Sequence, residues 1–147
     1  MNEKTCCFTG HRKLPKRNIK QIEKHLDSEI DNLYYQGVKN FISSGALGFA
    51  QLAAKLIITK KANGYNIRLI FMLPFKNYGH LWSDDNKYLF QHLLMEADEV
   101  QYVSEMYHDN CMKKRTLHML EQSDFLICAL KQGRTEKTEY ILSHANY

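Results

Sequence analysis

The stretch from Val38 to Lys60 reads "VKNFISSGALGFAQLAAKLIITK". Val38 to Ser43 has the makings of a short strand. Ser43-Ser44-Gly45-Ala46-Leu47-Gly48 is a turn, with Gly45 and Gly48 bracketing it. From about Gly48 to Lys61 the residues Leu52, Ala53, Leu56 and Ile57 fall on one face of a helix. A strand that passes through a tight glycine turn into a helix is half of a βαβ unit, so the question is whether the pattern repeats.

It repeats in both directions. Toward the N-terminus, Lys4 to Phe8 reads as a strand. Lys16 to Gln36 reads as a helix with the stripe Ile19, Ile22, Leu26, Ile30 and Leu33, and Gly37 stops it. Toward the C-terminus, Ile67 to Leu73, "IRLIFML", is a strand stopped by Pro74. A helix covers about Ser83 to Glu96, with Ser83 as cap and Tyr88, Leu89 and Leu93 facing inward. Glu99 to Val103 is a short strand, Asn110 to Gln122 a helix, and Asp124 to Leu130, "DFLICAL", a strand. Thr135 to Ala145 is expected to be a last helix. The order is βαβαβαβαβα. Strands with little alternation between helices argue a parallel sheet covered on both faces. The expectation is an α/β fold: one Rossmann-like, doubly wound parallel sheet of about five strands, forming a single domain over residues 1–147. No sixth strand is expected, and an uncovered sheet edge leaves room for a homo-oligomer that shields it.

The totals narrow the function classes. The chain has 147 residues, 44% hydrophobic and 24% charged, as an ordinary globular domain does. A formal charge of +4 is too small to argue nucleic-acid binding, so nucleic acid is not an expected partner. No apolar run approaches the roughly 20 residues of a membrane span, and with Asn2-Glu3-Lys4 leading straight into a strand-like run no signal peptide is expected. The chain reads as cytoplasmic. Cys6, Cys7, Cys111 and Cys128 suit neither a disulfide framework nor a metal site. The adjacent Cys6 and Cys7 point to opposite faces of a strand, as small apolar residues in a reducing compartment. No metal and no cofactor are expected.

In an open parallel sheet, ligands bind beyond the carboxyl ends of the strands. Those ends carry Thr9-Gly10-His11-Arg12, Ser43-Ser44-Gly45-Ala46, Pro74-Phe75-Lys76, Ser104-Glu105 and Lys131-Gln132-Gly133-Arg134. Small residues leave backbone N–H groups free and cations stand beside them, so an anion, phosphate above all, is the expected ligand. Arg12 has the planar fork that suits phosphate oxygens, and His11 is the candidate acid/base or phosphate donor. Lys113 and Arg115 do not share a helix face, so the cluster Lys113-Lys114-Arg115 cannot serve one site as a whole. Phe75, Tyr78 and Trp82 either stack on a base or close the end of the sheet.

These motifs also form an ordered set. "CCFTGHR" at the first strand, "ISSGALGFAQLAA" after the second and "LPF" after the third are followed by Trp82, "MKKR" and "SDFLICAL". Together they resemble the YpsA-like branch of the SLOG superfamily, Rossmann-like proteins related to DprA and to the LOG phosphoribohydrolases. The resemblance implies a pocket for a nucleotide or nucleotide-derived small molecule at the strand ends. It carries onto Thr9, Gly10, His11, Arg12, Ser44, Gly45, Gly48, Pro74, Phe75 and Arg115. To these the residues themselves add Ser43, Trp82, Gly133 and Thr138. The chain departs from the family's pattern at Ala50, Lys55 and Thr116, and again before Thr138, where Glu136 and Lys137 stand. The lost acidic residues favour holding an anion over cleaving it. Binding without catalysis, as a sensor or a sequestering protein, is therefore the expected role. A nucleotide-processing hydrolase using His11 with Glu105 or Glu139, and a protein- or DNA-binding regulatory module, are the alternatives.

Overall fold

The computed structural model describes residues 3–10, 12–14, 16–131 and 138–144. The elements are β1 (Lys4–Gly10), α1 (Ile19–Tyr35) preceded by a 3-10 turn, β2 (Val38–Ser43) and α2 (Phe49–Ala62). They continue with β3 (Arg68–Phe75), α3 (Asp84–Met95), β4 (Glu99–Ser104), α4 (Cys111–Glu121), β5 (Phe125–Lys131) and β6 (Thr138–His144). They form one sheet in the order β4-β3-β2-β1-β5-β6. The first five strands are mutually parallel. This is the α/β, Rossmann-like, doubly wound fold expected.

Two apolar layers hold the sheet. Cys6, Phe8, Phe41, Leu69 and Phe71 point to one face, where Ile22, Leu26, Ile30 and Leu33 of α1, Ala53 and Ile57 of α2 and Phe90 and Leu93 of α3 cover them. Cys7, Ile42, Ile70 and Met72 point to the other, under Met119 of α4. The two adjacent cysteines thus serve opposite layers, and burial pushes the Cys7 thiol up to about 11. On α3 the buried residues are Phe90 and Leu93, while Tyr88 and Leu89 are exposed. Phe90 sits edge-on to Phe71, so the inner face of the helix includes Leu93 as expected but not Tyr88 or Leu89. The Ser83 cap is as expected: its hydroxyl accepts from the Asn86 N–H at 3.2 Å.

A second tie joins α1 to α2. Lys60 is buried, 2.7 Å from Asp27 and 2.8 Å from Asp31, and the Tyr65 hydroxyl donates to Asp31 at 2.7 Å. Burial alone would raise Asp31, but hydrogen bonds from Lys60 and Tyr65 outweigh it and hold the carboxyl below its usual range. Burial likewise pulls on Lys60, yet the two carboxylates keep the ammonium above its ordinary value.

Two expectations are corrected. The last helix, 135–145, is instead a strand over Thr138–His144, antiparallel to β5 in the register Phe125↔His144 to Lys131↔Thr138. Tyr140, Ile141 and Leu142 favour a strand, and residues 132–137 are too few for a parallel crossover, which takes about a dozen. The sheet therefore has a sixth strand, an antiparallel margin on a parallel core. Pro74 does not end β3 either: the strand runs on to Phe75, paired with Ser104 of β4. Pairing with β2 has ended by Ser43↔Phe71, so Pro74 interrupts no ladder on that side.

Candidate functional site

The order of the strands sets the place. β1 has β2 on one side and β5 on the other. The chain leaves β1 through α1 toward β2 and returns through α4 to β5 on the opposite face. The carboxyl ends of β1 and β5 therefore flank the switch point, where such sheets bind ligands. A cavity of about 340 Å³ opens there, lined by Thr9, Gly10, Arg12, Ser44, Arg115 and Ala129.

Arg115 gives this cavity its chemistry. It is 8% exposed. Its Nη1 donates to the Ser44 carbonyl at a long 3.5 Å, and its guanidinium lies 5.8 Å from the centre of the Tyr78 ring. Its buried Nε has no hydrogen-bond partner. Among the described residues no carboxylate forms an ion pair with it. A desolvated guanidinium without a counter-charge is costly unless something anionic joins it. Lys113 and Lys114 are exposed, and Lys113 and Arg115 diverge as their i, i+2 spacing requires.

The glycine turn is built for close packing. A Cβ on Gly10 would stand 2.6 Å from the Phe49 ring, so the start of α2 sits directly on the end of β1. Gly45 has φ +77°, and a Cβ there would meet Leu73 at 2.6 Å. The two serines act within the turn. The Ser43 hydroxyl donates to the Ala50 carbonyl at 2.8 Å and accepts from the Gly45 N–H at 3.2 Å. The Ser44 hydroxyl accepts from the Ala46 N–H at 3.4 Å. Two N–H groups expected to be free for an anion are thus already engaged, and Ser43 lies beneath the cavity rather than on its wall. Gly48, φ +86°, begins α2 and borders a different cavity. The Thr9 hydroxyl is 3.2 Å from the Cys128 thiol.

Beside this polar cavity lies an aromatic one of about 470 Å³, walled by Phe75, Tyr78, Trp82, Tyr107, Leu47 and Arg12. Its rings brace one another edge-to-face: Phe75 on Tyr78 at 5.6 Å, Phe75 on Tyr107 at 5.7 Å, Tyr78 on Trp82 at 5.2 Å. Gly79, φ +87°, lets the chain turn under Trp82. Pro74 is buried within β3 and borders neither cavity. Tyr107 and Thr116 were missed as site residues. Tyr107 stands in a run, Tyr107 to Cys111, whose residue types suggest metal ligands rather than a ring wall, and Thr116 reads only as a departure from the family's pattern. Glu105, offered as an acid/base partner, is exposed and 3.0 Å from Lys76. His11, Gly133 and the side chains of Thr138 and Glu139 lie outside the described residues; the Thr138 backbone stands opposite Lys131, at the same sheet edge. No group of three or more potential metal-ligating side chains occurs among the described residues. No helix among them is long and apolar enough to cross a membrane.

The fold and its strand-end cavities define a Rossmann-like α/β protein with a polar and an aromatic recess at the switch point. A family model for YpsA, of the YspA SLOG family, matches residues 7–147, and the chain belongs to that family. It is similar to a UPF0398 protein of Enterococcus faecalis, 28% identical over 98% of this chain and 85% of that one. A UPF0398 protein of Bacillus cereus is 22% identical over 86% of this chain and 70% of that one. Among solved structures it is similar to DNA processing protein A of Helicobacter pylori, a protein with a single-stranded DNA binding mode. That likeness has a TM-score of 0.58 and 16% identity, over 90% of this chain and 56% of that one. It overturns one expectation. Nucleic acid was set aside on a net charge of +4, yet a protein of this fold binds single-stranded DNA. A total charge averages over the whole surface and says nothing about cations gathered at one end.

Proposed function

We propose that the chain binds a nucleotide or nucleotide-derived molecule at the carboxyl edge of its sheet and holds it without cleaving it. One observation carries the reading: Arg115 is buried, has an unpartnered Nε and lacks a carboxylate partner among the described residues. A phosphate between Arg115 and Arg12 supplies the missing charge, and the guanidinium fork matches its oxygens. The base lies against Tyr78 and Trp82 in the adjoining cavity, where flat aromatic faces favour a stacked ring. Holding is favoured over cleavage because no carboxylate lines either cavity among the described residues. Sensing or sequestering a nucleotide signal is the role this chemistry suits.

The test is calorimetric titration with nucleoside monophosphates, followed by product analysis. Arg115→Met and Arg12→Ala should each weaken binding by about tenfold or more, as loss of a charge-assisted bond does. Unchanged affinity in both variants would refute the site, and released base or phosphate would replace holding with hydrolysis. The H. pylori likeness gives a second reading, a single DNA strand along the same edge. An affinity for a short single-stranded oligonucleotide that falls steeply with salt would favour it, because each phosphate contact releases counterions.

A further inference from the structure

A third cavity, of about 550 Å³, opens on the far side of Arg12, between the approach to α1, the start of α2 and the outer face of α3. It shares Arg12 and Leu47 with the aromatic cavity, and Arg12 also lines the cavity of Arg115. One exposed guanidinium therefore stands where three recesses meet. A mononucleotide bound as described above occupies only two of them. The third is by itself within the size range of whole small-molecule sites, about 300–1,000 Å³.

Its walls have a definite chemistry. Leu14, Leu52 and Leu89 supply apolar surface for the faces of a ring. Gln51 and Asn86 bring amides, which offer both donors and acceptors to a base edge. Gln51 is fixed before any ligand arrives, since its Nε2 donates to the Gly45 carbonyl at 3.0 Å. Lys13 and Lys55 stand at the rim with Glu23, and neither lysine has an ion-pair partner among the described residues.

We propose that this third cavity is a second nucleoside subsite, and that the ligand is a dinucleotide. Its phosphate bridge lies at Arg12 and Arg115, one base enters the aromatic cavity, and the other enters the recess of Gln51, Lys13 and Lys55. The proposal rests on the nucleotide reading given above and adds the second half of the ligand. Three recesses converging on a single cation suit a bent molecule with its charge in the middle.

The experiment compares the four nucleoside 5′-monophosphates with the matching symmetric dinucleoside diphosphates, by calorimetry, on the parent and on the double variant Lys13→Ala/Lys55→Ala. Both lysines are exposed, so the variant keeps the fold, which a thermal melt verifies. The parent should bind one dinucleotide at least about tenfold more tightly than its mononucleotide. The double variant should lose that advantage and leave mononucleotide affinity unchanged. Equal affinity for the two in the parent overturns the second subsite and leaves the nucleotide reading standing. No binding of either overturns both. A short single-stranded oligonucleotide that binds more tightly than any dinucleotide, with the excess kept in the double variant, replaces the dinucleotide with a strand following another path.

Discussion

Two buried cations in this molecule make a direct comparison. Lys60 and Arg115 are 5% and 8% exposed. Each lies near a tyrosine ring, Lys60 at 4.9 Å from Tyr65 and Arg115 at 5.8 Å from Tyr78. Their surroundings differ in one respect. Lys60 has Asp27 and Asp31 within 2.8 Å, and Tyr65 steadies Asp31. Arg115 has one long bond to a carbonyl and an unpartnered Nε. Burial taxes both charges, but only at Lys60 does the described protein itself provide the compensation. A cation whose counter-charge is internal is part of the scaffold. A cation buried without one, at the wall of a strand-end cavity, is the mark of a site that something else completes.

The largest effect this comparison predicts is on stability at Lys60. Lys60→Met leaves Asp31 part-buried without its cation and unties α1 from α2. Breaking a fully buried pair costs about 3–5 kcal/mol, but Asp27 is half exposed and water takes up part of its loss. A destabilisation of about 2 kcal/mol is expected in urea unfolding at neutral pH. A loss below about 0.5 kcal/mol would place the cluster among ordinary surface pairs and dissolve the contrast.

The next effect is its pH dependence. Asp31 titrates lower in the folded protein than in the unfolded chain, whose aspartates ionise near pH 3.9. The unfolded state therefore takes up protons first as pH falls. The contribution of Asp31 is complete well above pH 4 and is lost as pH drops toward its folded value. Lys60 is shifted upward, so its share is complete at neutral pH and is lost only at strongly alkaline pH, as the ammonium deprotonates. Asp31→Asn should accordingly cost stability at pH 7 and converge with the parent as pH falls below about 4. Asp98 is also held low: burial works against ionisation, but Lys61 and the Leu69 N–H more than offset it. The acid limb therefore keeps a residual slope in the variant. A gap between parent and variant that stays constant from pH 7 to acid would show that Asp31 acts through packing and not through its charge.

The same two residues mark what a sequence does and does not display. Arg115 was legible because helical spacing sets it apart from Lys113 and the family resemblance picks it out of the cluster. The strand ends were legible for the same kind of reason, since parallel topology dictates where they gather. Lys60 was not legible. Its partners Asp27 and Asp31 lie on another helix, and a lysine on an amphipathic helix reads as solvated until the crossing of the two helices is known. The engaged hydroxyls of Ser43 and Ser44 were hidden likewise, because a serine beside glycine looks the same whether it serves a ligand or its own turn. β6 was misread because Tyr140, Ile141 and Leu142 fit either period over so short a run, and the length of the preceding connection decides. The third cavity could not be seen at all, as Lys13, Gln51 and Asn86 come from three separate stretches of chain.

The smallest effect on stability should come at Arg115, and it is the sharpest test of the contrast. Arg115→Met keeps an unbranched side chain of similar reach and removes the charge. What is lost is a 3.5 Å bond and a ring contact worth about 0.5–2 kcal/mol, the upper end applying where the cation is desolvated. What is regained is the desolvation cost of a guanidinium that the described protein does not neutralise. The two nearly cancel, so the unfolding free energy should stay within about 1 kcal/mol of the parent, on either side. A nucleotide that raises the melting midpoint of the parent by mass action should then raise the variant's midpoint clearly less at the same concentration. Stability retained and ligand response reduced would separate Arg115 from Lys60. A destabilisation as large as that of Lys60→Met would instead mean that the protein supplies Arg115 with a counter-charge of its own, and both cations would belong to the scaffold.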